Sequence, residues 1–363
     1  MAARKEGFSG ECRPTLIGSL PVSDHDEAVH LIRDHVPEIP LWVQLPTYPR
    51  EGMVAQFLPG MPGLVESEHK TYIDTSSDRF EQEYLEFYEE YLAVSEEGAD
   101  LMASRFAFDE DLAPGFFTLL EHLSDWPVPL AAIKGQVTGP FTMTTSVKDQ
   151  NGRDLLFDDR LRDAMVKMMA MKARWQVRKL RETGAPVILF LDEPALAGFG
   201  TSAYITVTKD DVTAMLAEVM ESVAEEGGYV GVHICANSDW SLVLDSAADF
   251  VSFDAYSFFD KFVLFDKGLH GFLERGGNIA WGIVPTSEPD AINSESVDSL
   301  TRIFFEQAAT LEKLGVDKAT IYNQTVITPA CGTGSLDVPT SKRVLELTRG
   351  VSDRVRAEFF QGV

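Results

Sequence analysis

Eight short apolar runs limit what this chain can fold into more than any other feature, and they cover residues 15–20, 41–45, 130–136, 187–191, 229–235, 250–255, 278–284 and 320–327. They are rich in Val, Ile and Phe and end near Gly, Pro, Asp or Ser, as strands do where they pass into loops. Between them lie segments with a helical period at 26–33, 80–92, 161–181, 210–224, 294–313 and 342–359. Strands that alternate with helices build a parallel sheet, and eight such units suffice for a closed barrel. The expected fold class is α/β: a single (β/α)8 TIM barrel over residues 1–363, with a doubly wound open sheet as the alternative. The stretch 46–77 carries Gly52, Pro59, Gly60, Pro62 and Gly63. It is expected as a long loop insertion over the active face that covers the substrate. No repeat, low-complexity tract or linker divides the chain.

Composition narrows the function. The chain of 363 residues is 45% hydrophobic, enough for a large core. No segment approaches the eighteen uninterrupted apolar residues of a membrane span, and the first residues lack a signal peptide's apolar stretch. Three cysteines in this length argue against a disulfide framework and for a reducing cytoplasm. A formal charge of −26 makes nucleic acid and anionic membranes poor partners.

Against that background His233-Ile234-Cys235 stands out. On a strand, residues two apart point the same way, so the imidazole and the thiol share a face. Cys331, in the segment 328–334, adds a second, distant thiol, and zinc favours such a set. Ser19, Asp192, the His233/Cys235 pair, Asp254 and Cys331 all lie at or just after the ends of different runs. In a barrel those ends make the active face. Each residue also has a plainer reading. His233 suits a hydrogen-bonded core position, and Cys235 a small buried apolar one. Asp254 stands equally as a fourth ligand or as the cap of the next helix. Asp192 and Glu193 are adjacent, so one faces the site and the other makes a structural ion pair. Cys12, upstream of the first run, has no chemical role in this reading.

The same residues carry a family resemblance. Leu16-Ile17-Gly18-Ser19-Leu20-Pro21, Asp192-Glu193-Pro194-Ala195-Leu196, His233-Ile234-Cys235 and Cys331-Gly332 occur in the order seen in the C-terminal catalytic half of cobalamin-independent methionine synthase. Val137-Thr138-Gly139-Pro140-Phe141-Thr142 adds a matching turn, and the resemblance runs from about residue 15 to the C-terminus. The wider superfamily includes uroporphyrinogen decarboxylase, which lacks the thiol ligands, and the corrinoid:thiol methyltransferases. The resemblance implies zinc held by His233, Cys235 and Cys331, with Asp254 near the place of a glutamate ligand. It implies L-homocysteine as substrate, its carboxylate on the Ile17, Gly18 and Ser19 turn and its amino group on Asp192. Glu51, in the segment 50–54, would assist at the amino group. No catalytic side chain is implied beyond the zinc site.

The departures bear on the methyl donor. Ser146 stands where the family has a folate-contacting tryptophan, and Gly198 where it has a glutamate. Val284-Pro285-Thr286-Ser287 replaces the region of its proton-donating histidine. Methyltetrahydrofolate needs protonation at N5 to leave, whereas a cobalamin leaves unaided. The expected donor is therefore a methyl-corrinoid, methylcobalamin or a corrinoid carrier protein. The alternatives are methyl transfer to another thiol such as coenzyme M, and a non-catalytic zinc-binding barrel.

Overall fold

The computed structural model describes residues 7–67 and 70–360. Among them the strands are β1 Arg13–Pro14, β2 Leu64–Glu66, β3 Thr71–Ile73, β4 Ile133–Thr138, β5 Val187–Asp192, β6 Tyr229–Ile234, β7 Phe250–Phe253, β8 Asn278–Val284 and β9 Thr325–Pro329. Seven of them form one curled parallel sheet in the order β1-β9-β8-β7-β6-β5-β4, while β2 and β3 pair as a separate antiparallel hairpin. The α/β class is as expected, with a seven-stranded sheet where the runs predict eight strands. The run 15–20 falls just after β1, and it and the run 41–45 make only single parallel bridges, Gln44 to Ser19 and Leu41 to Lys134. Pro40 and Pro46 flank the run 41–45 and have no N–H to extend a ladder.

Two further expectations change. The run 320–327 begins as a helix, Lys318–Asn323, because Asp317 caps it by accepting the Thr320 N–H at 3.0 Å; the strand starts only at Thr325. The stretch 46–77 is only partly irregular. It contains short 3-10 turns at Pro49–Glu51 and Ala55–Phe57 and the β2/β3 hairpin. Phe57, Leu58 and Met61 are buried in the main core, which anchors the middle of the stretch away from solvent.

Residue alternation sorts the strands into two faces. Ala132, Ile188, Phe190, Phe250, Ala280 and Val326 form an apolar cluster of their own, which fills the inside of the curled sheet. The opposite face packs on helices such as Asp159–Leu180, started by Asp158, which accepts the N–H groups of Arg160 and Leu161. That helix buries Leu161, Met165, Met168, Met169 and Trp175 among others. Full burial of each such side chain stabilises by roughly 1.5–3 kcal/mol before conformational entropy is counted. Among the described residues no helix is long and apolar enough to cross a membrane.

Candidate active site

Parallel register aligns the ends of β5, β6 and β7: Asp192 lies opposite His233, and His233 opposite Ser252. The His233 ring is buried, with Nδ1 2.9 Å from Ser252 Oγ. Its Nε2 is also buried but has no hydrogen-bond partner among the described residues. A buried ring nitrogen without a partner is costly, so this atom points to a missing ligand. Cys235 follows two residues on, and Cys331 arrives from the loop after β9. The His233 nitrogen and the two sulfurs lie within 4.8 Å of one another, and theirs is the metal-competent cluster among the described residues. Tetrahedral zinc with bonds of about 2.0–2.3 Å would need ligand atoms roughly 3.7 Å apart, so the donor set fits with small adjustment. A metal held at Nε2 would put the ring proton on Nδ1, which would then donate to Ser252.

The two thiols are not equivalent. Cys235 is held well below the ordinary thiol range, first by its hydrogen bond with Cys331 and then by His233. Cys331 is pushed above it by the same bond and by burial. The pair thus favours one thiolate, the form that ligates metal. Close packing keeps Cys331 there: a Cβ on Gly332 would fall 2.4 Å from Ser19 Oγ.

The cluster opens into a cavity of about 410 Å³ that Ile17, Gly18, Ser19, Glu51 and Asp192 also line. All the residues expected at the site except Asp254 thus share one cavity. Asp192 Oδ1 is buried without a hydrogen-bond partner among the described residues, and burial pushes this carboxyl up, with His233 and Lys134 pulling the other way. Glu51 is buried as well; it accepts the Leu45 N–H at 2.9 Å and lies 3.0 Å from His25 Nε2. Ser19 Oγ accepts the Gly334 N–H at 3.2 Å.

Asp254 is outside the metal-competent cluster. It caps the helix Ala255–Phe262, accepting the Ser257 N–H at 2.8 Å. Glu193 makes no ion pair with any described residue, unlike the structural pair expected of it. It accepts the Phe141 and Thr142 N–H groups at 2.9 and 2.8 Å and the Thr142 hydroxyl at 2.6 Å, at the start of the helix Pro140–Ser146. Unpaired backbone N–H groups at a helix start attract a carboxylate more directly than a distant cation does. Cys12 is fully buried, its thiol bonded to the Tyr322 carbonyl at 3.3 Å. Sequence reasoning missed Gln44, Pro46, Met53, Gly334 and Ser335, which also line the cavity. It also missed Lys134, a buried lysine whose signal was its place inside an apolar run.

A cavity lined by thiols, an imidazole and carboxylates suits an enzyme that handles a small nucleophile, and comparison with known proteins defines the class as methyltransferase. Residues 126–353 match the family described as "Cobalamin-independent synthase, Catalytic domain", and the chain belongs to it. It is a methyltransferase of the methionine synthase family. No curated protein sequence matches the chain. A methyltransferase from Methanosarcina mazei shares the fold at 13% identity, with 96% of this chain and 94% of that one covered and a TM-score of 0.50. A B12-independent methionine synthase from Shewanella sp. W3-18-1, in complex with selenomethionine, aligns at 17% identity over 68% of this chain and 67% of that one, with a TM-score of 0.46. The GH113 β-mannanase AaManA from Alicyclobacillus acidocaldarius aligns at 11% identity over 100% of both chains, with a TM-score of 0.44. The family is cobalamin-independent and uses a folate donor, so the expected methyl-corrinoid donor and corrinoid carrier protein draw no support from it.

Proposed function

We propose that this chain is a zinc-dependent methyltransferase that forms methionine from L-homocysteine. One observation carries the reading: the partnerless, buried Nε2 of His233 faces two thiols at the wall of a cavity. His233, Cys235 and Cys331 would hold the metal, leaving a fourth position for the substrate thiol, as catalytic zinc sites do. Zinc bound there supplies Lewis acidity that keeps the substrate sulfur as a thiolate at neutral pH. Asp254 remains the candidate for a fourth protein ligand, at the cost of its capping bond to Ser257.

The chain's own groups orient the substrate. Asp192 and Glu51 present carboxylates to the amino group, and the Ile17, Gly18 and Ser19 turn receives the carboxylate. A coenzyme M sulfonate would meet those two acidic groups instead of a basic anchor, which favours an amino-acid thiol. A purely structural zinc site normally has four protein ligands, and the cluster of three favours catalysis. The two bridges of 41–45 support a closed (β/α)8 barrel, read as one domain over 1–363 with the insertion 46–77 beside its mouth.

For the donor, family membership supports a methyl-folate. A methyl-corrinoid is the second reading, favoured by the end of β8, where Val284-Pro285-Thr286-Ser287 offers no side chain with a proton to give at neutral pH. The test is methionine formation by the zinc-loaded protein, with methyltetrahydrofolate and methylcobalamin in parallel anaerobic assays. Alongside it, the cobalt-substituted protein is titrated with homocysteine while its absorption spectrum is followed. Methionine formation and a thiol-induced spectral change are expected. No product from either donor, with an unchanged spectrum, overturns the assignment.

A further inference from the structure

Lys134 lies on β4 beneath the cavity and is 1% exposed. Its ammonium donates to the carbonyl of Ile17, in the turn that lines the cavity. It also sits 4.8 Å from the centre of the Phe190 ring. A Cβ on Gly231 would fall 2.6 Å from that ring, so the glycine in β6 leaves room for the platform on which the ammonium rests. Burial pushes Lys134 down to about 8, even with the charge of nearby Asp192 opposing the shift. A lysine serving only as filler would leave its charge unsatisfied; this one is spent on a single backbone oxygen at the substrate turn.

We propose that Lys134 is a positioning residue that fixes the Ile17–Gly18 peptide for recognition of the substrate's α-carboxylate. A trans peptide is rigid and planar, with its C=O and N–H pointing in opposite directions. Anchoring the Ile17 oxygen on Lys134, below the turn, aims the Gly18 N–H away from Lys134, to the cavity side. This inference rests on the homocysteine reading above and adds the residue that makes the turn selective for a carboxylate.

The experiment compares two thiols by titration calorimetry on the zinc-loaded full chain, with no methyl donor present. L-homocysteine and 3-aminopropane-1-thiol differ only in the carboxylate, so the ratio of their dissociation constants isolates its recognition. Loss of the lysine charge beside Asp192 acts on both through their shared amino group and cancels in the ratio. The wild type is expected to prefer homocysteine by about tenfold or more, and Lys134→Met to lose about tenfold of that preference while binding zinc with unchanged stoichiometry. A general loosening of the fold would weaken both thiols alike and leave the ratio intact. If Lys134→Met does not fold, Lys134→Leu, which likewise has no donor for the Ile17 carbonyl, carries the same comparison. A variant that keeps the wild-type ratio overturns the proposal. A wild-type ratio near one overturns the carboxylate placement itself, and the proposal with it.

Discussion

Lys172, on the helix Asp159–Leu180, allows a stability prediction with a definite sign. It is fully buried, its Nζ has no hydrogen-bond partner among the described residues, and the ammonium lies 4.8 Å from the centre of the Phe108 ring. Burial pushes it from its ordinary 10.5 down to about 7, with only Asp109 pulling it back up. That displacement corresponds to about 5 kcal/mol against the charged folded form, at about 1.4 kcal/mol per pH unit. Between pH 7 and 10.5 the folded chain binds fewer protons at this site than the unfolded chain. Stability of the wild type therefore rises with pH across that window, and below it the full penalty is present.

Replacing Lys172 by Met removes the penalty and keeps a side chain of similar length. The loss is the cation–ring contact, about 1–2 kcal/mol in a desolvated setting. Lys172→Met should then stabilise the fold by about 3 kcal/mol at pH 6, shrinking to about 1 kcal/mol at pH 9. Urea unfolding of both proteins at pH 6, 7.5 and 9, with equal m-values, measures the difference. A variant less stable than the wild type at pH 6 refutes the reasoning, and so does a gap that does not change with pH.

Three other predictions concern the cavity. Ser252→Ala removes the group that orients the His233 ring, so zinc affinity should fall by about ten- to a hundredfold in a chelator competition; unchanged affinity would mean that Ser252 plays no part. Asp192→Asn should raise KM for homocysteine about tenfold or more while zinc content stays that of the wild type; an unchanged KM removes Asp192 from the amino group. Gly332→Ala puts a methyl group 2.4 Å from Ser19 Oγ, which must displace the loop carrying Cys331. It should cost about 1–3 kcal/mol in thermal unfolding and weaken zinc retention on dialysis, and wild-type behaviour in both would show that the loop yields freely.

Strands buried on both faces were the most readable part of the chain. The runs at 187–191, 229–235 and 278–284 return as β5, β6 and β8 within a residue, because continuous apolar sequence between turn residues leaves few alternatives. The His233/Cys235 pair followed from strand alternation, and so did the divergence of Asp192 from Glu193. What failed depended on contacts distant in sequence. The run 41–45 reads as a strand, yet its partners lie at Ser19 and Lys134, and its flanking prolines stop the ladder. Residues 320–323 read as the start of the last strand, but the Asp317 cap starts a helix there first. Nothing local in the sequence joins Glu51 to His25; the fold alone brings them to 3.0 Å.

The two buried lysines show why burial by itself does not mark a functional group. Lys134 and Lys172 are both enclosed and both rest on an aromatic ring, and burial lowers both. Their partners differ. Lys134 donates to the Ile17 carbonyl and has Asp192 close enough to offset part of its desolvation, and Ile17 and Asp192 line the cavity. Lys172, on a helix that contributes no lining to that cavity, has no hydrogen-bond partner among the described residues and lies over Phe108, whose ring packs on Trp175. The same substitution to Met should therefore act in opposite ways. At position 172 it relieves an uncompensated charge and raises stability without touching the thiol pocket. At position 134 it leaves the Ile17 carbonyl without its donor and should appear in substrate recognition.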